Sequence, residues 1–377
     1  MKQELTVLIA AEINFGEEET TQTEGVVAVK PKKSLDAWLE KVAPVLRDGD
    51  FTLGVLEGPL CQPLPDVGRK SWGAMLRMPP EAADALKRAG FDSVILANNH
   101  TMDFGAEGML QTLANLDRVG ISYSGGGKDI HEARKPAILE RDGVKLAVLS
   151  YSSIFVPGLF PAGENKAGIA TITVDTSYQI PITLAYNPGL IPRIINTPRE
   201  TDFQQMREDV RLARTLADIV LVNLHWGVPN RVNANASGIP VKNVPFYTLA
   251  YQEEMGRATI DAGADMVIGH HPLRLQGVEV YQGKLIFYSL SPLIFSHGWR
   301  NDVHQEESVI VKGYIDPASK RLKSVNLIPA IHPRDTHETY ILPIGQAGRV
   351  LTDLQEKSEK YGTRFRIDGD EIVIQGT

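Results

Sequence analysis

The pattern that most restricts the fold of this chain is a repeated one: short apolar runs that end abruptly in a carboxylate, an amide or an imidazole. Residues 5–11 end at Glu12, 51–56 at Glu57, 93–96 at the loop 97–105, 219–224 at His225, and 265–268 at Gly269, His270 and His271. Runs this short and apolar on both faces read as buried strands. Between them lie stretches of helical spacing, closed by Gly90, Gly120 and Gly263. Strand, polar strand end, helix, glycine and strand in succession predict a parallel sheet covered by helices. Open sheets of this kind gather sites at the carboxyl ends of their strands, so the polar ends are expected to meet.

Length alone leaves one large α/β domain or two average ones open, since the chain has 377 residues. Hydrophobic residues at 43% supply a core, and 23% charged residues is ordinary for a folded chain. The formal net charge of −7, with no long Lys/Arg cluster, gives no footprint for nucleic acid. Cys61 is the sole cysteine, which excludes an intramolecular disulfide and a cysteine-based zinc site. The apolar run 7–11 is shorter than a signal-peptide core and reads as the first strand, and no run is long enough to span a bilayer. A cytoplasmic location is therefore expected, with the oligomeric state open.

Several stretches break the rhythm. Residues 16–33 are polar and read as an exposed excursion, and 62–78 lack periodicity while carrying Arg69, Lys70 and Trp72. Such a loop either binds an anionic or planar group or is simply solvated. The turn SGGG at 124–127 lacks the spacing of a dinucleotide fingerprint and receives no phosphate-binding role. Residues 154–198, rich in Pro, Gly and aromatics, are expected to form a lid or substrate loop. The strands and helix of 299–377 are expected to complete the same domain as 1–298.

The chemistry concentrates in the strand ends. In ANNHTMDFG at 97–105, Asn99, His100 and Asp103 bring an amide, an imidazole and a carboxylate to one loop. Alone, the loop reads more readily as an Asn-rich turn with a capping His and Asp, and a lone buried His is commonly a hydrogen-bonded core residue. Five strand ends of the same character favour a functional centre. Several imidazoles with carboxylates and an amide suit a borderline divalent metal such as Zn²⁺ or Mn²⁺, and His also moves protons near neutral pH.

Five segments carry a family resemblance: LEGPL at 56–60, GFDSVILANNHTMDFG at 90–105, NLHWG at 223–227, GADMVIGHHP at 263–272 and YSLSPLIF at 288–295. In order and spacing they make the chain similar to the CapA family of capsule and poly-γ-glutamate synthesis proteins. The resemblance implies a layered α/β/β/α sandwich similar to metallo-dependent phosphatases, with mixed sheets and site loops at strand ends. It also implies a peptide or acidic-polymer substrate. Ala11-Glu12 replaces the family's usual Gly-Asp, and Pro229 stands where HWGxE would place Glu.

Three activities follow from the resemblance. In metal-assisted hydrolysis or transfer at an amide, Glu12, Glu57, Asn99, His225 and His271 are the metal candidates, and His100 protonates the leaving group. Asp103 and His270 complete the catalytic candidates, and Arg69, Lys70, Trp226 and Arg274 are the substrate-binding ones. In metal-free epimerisation, Glu12 and an opposed His270 or His271 exchange protons at a substrate Cα. The third activity is that of a non-catalytic accessory protein of polymer synthesis.

Overall fold

The computed structural model describes residues 2–20, 34–65, 74–180, 182–183, 187, 192–229, 248–295, 305–333 and 338–375. Two large sheets dominate it. In the first, the parallel strands Leu5–Asn14, Phe51–Leu56, Ser93–Ile95 and Ser122–Ser124 lie side by side in that order. On the other edge of Leu5–Asn14 the sheet turns antiparallel, through Glu307–Asp316, Arg321–Ile331, Glu371–Gln375 and Arg364–Asp368. The second sheet is ordered Val278–Tyr281, Lys284–Phe287, Met266–His270, Ile219–His225, Val144–Ser152 and Ala137–Arg141, with its four middle strands parallel. Both sheets are mixed, as expected.

The layering follows from side-chain alternation hidden inside apolar runs. In Leu5–Asn14, Val7, Ile9 and Ala11 join a core with Val144, Leu146, Ile219, Leu221, Met266 and Ile268 of the second sheet. Leu8 and Ala10 point the other way, against Leu46, Leu86, Met109 and Leu116 of the covering helices. In Ile219–His225 the alternate residues Val220, Val222 and Leu224 face Phe203, Met206, Val210 and Met255. Successive Cβ atoms leave opposite faces of a strand, so a run apolar at every position must be covered on both sides. The result is the expected α/β/β/α sandwich.

The helices obey the same logic. Ala82–Ala89 buries Ala82, Ala83, Ala85, Leu86 and Ala89 on the first sheet and stops at Gly90, whose φ of 107° is the left-handed cap that glycine tolerates. Gly105–Val119 starts from the ANNH loop and buries Met109, Leu113 and Leu116. Glu200–Leu216 and Ala250–Asp261 cover the second sheet.

Some local expectations change. The stretch 34–46, whose spacing predicts one helix capped by Ser34, is broken into two short helices, Leu35–Leu39 and Ala43–Asp48. Gly126–Gly127 is not a flexible turn but a short strand paired with Gly168–Ile169, where a Cβ on Gly127 would lie 2.5 Å from the Ala133 nitrogen. Within 154–198 the structure forms the antiparallel pair Val174–Gln179 and Arg193–Pro198 rather than an irregular loop. Alternation of Val174, Thr176 and Tyr178 with Asp175, Ser177 and Gln179 is the period-2 pattern behind it.

Candidate active site

A register shift between Ala10 and Glu12 bulges the Leu5–Asn14 strand against Phe51–Leu56. A bulge lets consecutive side chains share a face. Ala11 sits in the inter-sheet core, and Glu12 reaches across to the second sheet, where Oε1 accepts the His271 N–H at 2.7 Å. Ile13 already points outward. The bulge therefore converts the end of the first strand into a bridge between sheets.

The ANNH loop is shaped by Asn98 rather than Asn99. Asn98 Oδ1 accepts from the N–H groups of His100 at 3.0 Å and Thr101 at 2.9 Å, while Nδ2 donates to the Leu56 carbonyl at 2.8 Å. These bonds free Asn99 to face the second sheet. Its Oδ1 lies 2.6 Å from Nε2 of His225, which we assign as the donor. The Asn99 side-chain NH₂ then has no partner among the described residues.

His100 Nδ1 lies 2.6 Å from Asp103 Oδ2, and the same oxygen accepts the Leu76 N–H at 2.8 Å. With the carboxylate fixed from two sides, the imidazole proton belongs on Nδ1, and Nε2 is the basic nitrogen of the ring. Asp103 is fully buried and His100 is 9% exposed.

His225 and His271 pack ring to ring, their centroids 4.8 Å apart and their planes inclined by 57°. His270 points Nε2 at Asn223 Oδ1, 3.3 Å away, and holds Nδ1 3.9 Å from Glu12 Oε2. Among the described residues the buried Glu12 Oε2, His225 Nδ1 and His270 Nδ1 atoms have no hydrogen-bond partners. His271 has φ of +97°, a strained backbone for any residue but glycine, and the Glu12 carboxylate holds it there.

Burial sets the protonation states. It drives His225 well below the usual histidine range, reinforced by His271, His270 and His100, and it drives His271 down to about 4 against the pull of Glu12. Burial alone would raise the Glu12 carboxyl, but the neighbouring His270 and the His271 amide outweigh it and hold the group below the ordinary carboxylate range. At neutral pH the pocket contains neutral His225 and His271 beside an ionised Glu12.

The structure thus joins Glu12, Asn99, His100, Asp103, His225, His270 and His271 in one network. Exposure divides them: Glu12 and His270 are at most 1% exposed and His225 is 2% exposed, whereas His100 and His271 reach the surface and Asn99 is half-buried. Glu12 and His270, expected to act on substrate, are sealed from solvent, and Glu12 bonds the His271 amide. Imidazole and carboxylate are suitable metal donors, yet among the described residues no three His, Cys, Asp or Glu side chains stand where they could hold one ion. The Nε2 atom of His225 and one oxygen of Glu12 are already engaged within the protein. Glu57 is buried at its strand end.

One substrate-binding expectation is corrected. Trp226 is fully buried, stacks on Tyr288 and donates its indole N–H to the Tyr288 carbonyl at 2.9 Å. Gly269 makes room for that bond, because a Cβ there would lie 2.2 Å from the Tyr288 oxygen. Arg274 is half-buried and lies near Lys357 of the Gly348–Ser358 helix, whose ammonium is pushed down chiefly by burial. Arg69 and Lys70 lie outside the described residues. Asn98 and Asn223 were missed; the signal for Asn223 was an amide inside an otherwise apolar strand, two residues before His225.

Fold and pocket together define a two-sheet α/β sandwich protein with an imidazole-rich acid–base pocket at the carboxyl ends of its strands. The chain belongs to the bacterial capsule synthesis protein family PGA_cap, whose pattern matches residues 18–297. It is 27% identical over 298 residues to the capsule biosynthesis protein CapA of Bacillus anthracis, covering 79% of this chain and 61% of that one. With the PGA biosynthesis protein CapA of Bacillus subtilis it shares 28% identity over 351 residues, covering 93% and 78%. A probable polyglutamine synthesis accessory protein of Mycobacterium tuberculosis, Rv0574c, is 27% identical over 261 residues, covering 67% and 59%.

Among solved structures, a phosphatase from Mycoplasma pneumoniae superposes at a TM-score of 0.43 with 9% identity, covering 88% of this chain and 95% of that one. The calcineurin-like phosphoesterase YfkN of Bacillus subtilis gives 0.41 with 13% identity, covering 95% and 99%. No helix among the described residues is long and apolar enough to cross a membrane.

Proposed function

We propose that this chain breaks or transfers an amide bond of an acidic, poly-γ-glutamate-type chain by general acid–base catalysis at His100. The observation that carries this reading is the 2.6 Å contact between His100 Nδ1 and the buried Asp103 carboxylate. A carboxylate behind an imidazole fixes its tautomer and stabilises the imidazolium formed during turnover. His100 Nε2 takes a proton from the attacking water as the C–O bond forms. It returns that proton to the amide nitrogen as the C–N bond breaks.

Asn99 supplies the second element. With Oδ1 held by His225, its NH₂ group is oriented beside His100 and donates to the oxyanion that develops at the carbonyl. The depressed basicity of His225 keeps it neutral and therefore a steady donor to Asn99. Glu12 fixes the His271 backbone and with it the wall opposite His100. The substrate class draws support from family membership and from the names of the polyglutamine- and PGA-synthesis relatives.

The test is incubation of the protein with polyglutamate, following release of new amino groups with and without chelator. Turnover that persists in chelator and disappears in His100→Ala is expected. Turnover that needs an added divalent metal, or that survives His100→Ala, overturns the reading.

A further inference from the structure

At the opposite end of the second sheet the chain carries a cleft of about 660 Å³ that none of this chemistry uses. It is walled by the residues that open the Ile219–His225 and Met266–His270 strands and by residues 319–324, SKRLKS, where a turn leads into the Arg321–Ile331 strand. The histidines end those same strands. Seven residues of strand, about 20 Å, separate this cleft from the acid–base pocket.

The cleft is cationic in a chain whose formal net charge is −7: Arg214, Lys284, Lys320, Arg321 and Lys323 face Asp218 and Asp265. The cations are unequally occupied. Arg214 is bound to Asp265 and to the Ala217 carbonyl, and Lys284 donates to the Ala264 carbonyl at 2.6 Å. Lys320 is only 3.4 Å from Asp218 and Lys323 3.2 Å from Glu4, with 46% and 66% of their side chains exposed. The exposed guanidinium of Arg321 has no hydrogen-bond or ion-pair partner among the described residues.

Exposed ion pairs contribute little and exchange readily, so Lys320 and Lys323 can trade their present carboxylates for others. Arg321 offers a planar fork that matches a carboxylate through two bonds. Arg321 and Lys323 also border a second cleft, of about 490 Å³, that shares Ser319 and Leu322 with the first and is faced by Glu4 and Asp316. A ligand that follows both clefts is elongated rather than a single small anion.

We infer that this cleft is a second binding site for an extended carboxylate-bearing chain, which meets Lys320, Arg321 and Lys323 while another part of it is presented to the acid–base pocket. The site requires only that the ligand be polyanionic and long; its identification with the substrate rests on the reading given under Proposed function. Catalysis at His100 and retention at Arg321 are then separate properties of one protein.

The experiment measures binding of γ-linked polyglutamate to the intact chain, with uncharged polyglutamine and inorganic phosphate as comparison probes. In Arg321→Glu/Lys323→Glu, affinity is expected to fall at least about tenfold at low salt, and the slope of log affinity against log salt by roughly two, one for each lost cation. Arg321→Gln/Lys323→Gln is the milder second variant, expected to lose less in the same direction. Lys135→Glu/Arg364→Glu imposes the same change of net charge at exposed positions elsewhere. Unchanged affinity in both cleft variants, equal loss in the Lys135/Arg364 variant, or displacement of the polymer by phosphate at matched charge overturns the inference. His100→Ala is expected to bind normally. Binding without turnover in the unmodified protein sinks the catalytic reading and leaves this one standing.

Discussion

Nε2 of His225 and Oδ1 of Asn99 lie 2.6 Å apart and join the two sheets across the mouth of the pocket. The bond fixes the orientation of the Asn99 amide and thereby the direction of its NH₂ group. Asn99→Asp keeps the acceptor but replaces the free donor with an oxygen. Stability should change little, while kcat falls about 10²–10³-fold, the usual loss for one oxyanion donor, with KM nearly constant. Steady-state kinetics on polyglutamate decide it, and a rise in KM alone would assign Asn99 to binding instead.

Asp103→Asn retains an oxygen for the Leu76 N–H but removes the charge behind His100. An orienting carboxylate lost in this way typically costs up to about 10⁴-fold in kcat. The expected signature is a large loss at neutral pH with substrate affinity preserved, read from single-turnover rates and equilibrium binding.

Glu12 offers a contrast between two substitutions. Glu12→Gln keeps an acceptor for the His271 N–H and should unfold in urea near the native midpoint. Glu12→Ala leaves that buried amide unpaired and the φ of +97° unsupported, a loss of about 1–3 kcal/mol before any cavity cost. Equal midpoints for the two variants would show that the bond does not hold the loop.

Acid should destabilise the fold over a defined window. His271 is pushed by burial from 6.5 to about 4, so between those values the unfolded chain binds more protons than the folded one. Unfolding free energy therefore rises with pH across that window and flattens above about 6.5 as far as this group is concerned. His225, also lowered by burial, acts in the same sense, and the lowered Glu12 extends the loss below its unfolded value of 4.5. His271→Gln should shrink the slope between pH 4 and 6.5 by about one proton, measured as urea midpoints against pH.

Trp226 belongs to the core, and its substitution should show it. Trp226→Ala is expected to cost about 3–5 kcal/mol of stability through the cavity and the unpaired Tyr288 carbonyl. Trp226→Phe keeps most of the packing, and its KM should remain native. A KM effect in Trp226→Phe at unchanged stability would restore the residue to the substrate site.

The strand ends were legible because each apolar run stops at a residue that costs too much to bury without partners, as at Glu12, His225 and His270. Which ends touch one another was not, since that depends on a bulge at residue 11 and on pairings between residues 12 and 271 or 99 and 225. Trp226 misled because an aromatic beside a strand-end histidine carries no mark of facing in or out. The paired strands within 154–198 were obscured by prolines and glycines around them, although the alternation of Val174, Thr176 and Tyr178 was present. Arg321 and Lys323 passed unnoticed because they are ordinary exposed strand residues until the sheets place them beside Lys284 and Arg214.

The strand Leu5–Asn14 lies between Phe51–Leu56 and Glu307–Asp316, with Leu5 opposite Ile315. During synthesis the ribosome releases one neighbour almost at once and the other only after some three hundred further residues, roughly 15–60 s later at ordinary translation rates. Until then a largely apolar strand has one unpaired edge, and the inter-sheet core cannot close. Nascent chains of this protein should therefore depend on chaperone cover throughout elongation, and stalled chains that stop short of Glu307 should aggregate where full-length ones do not.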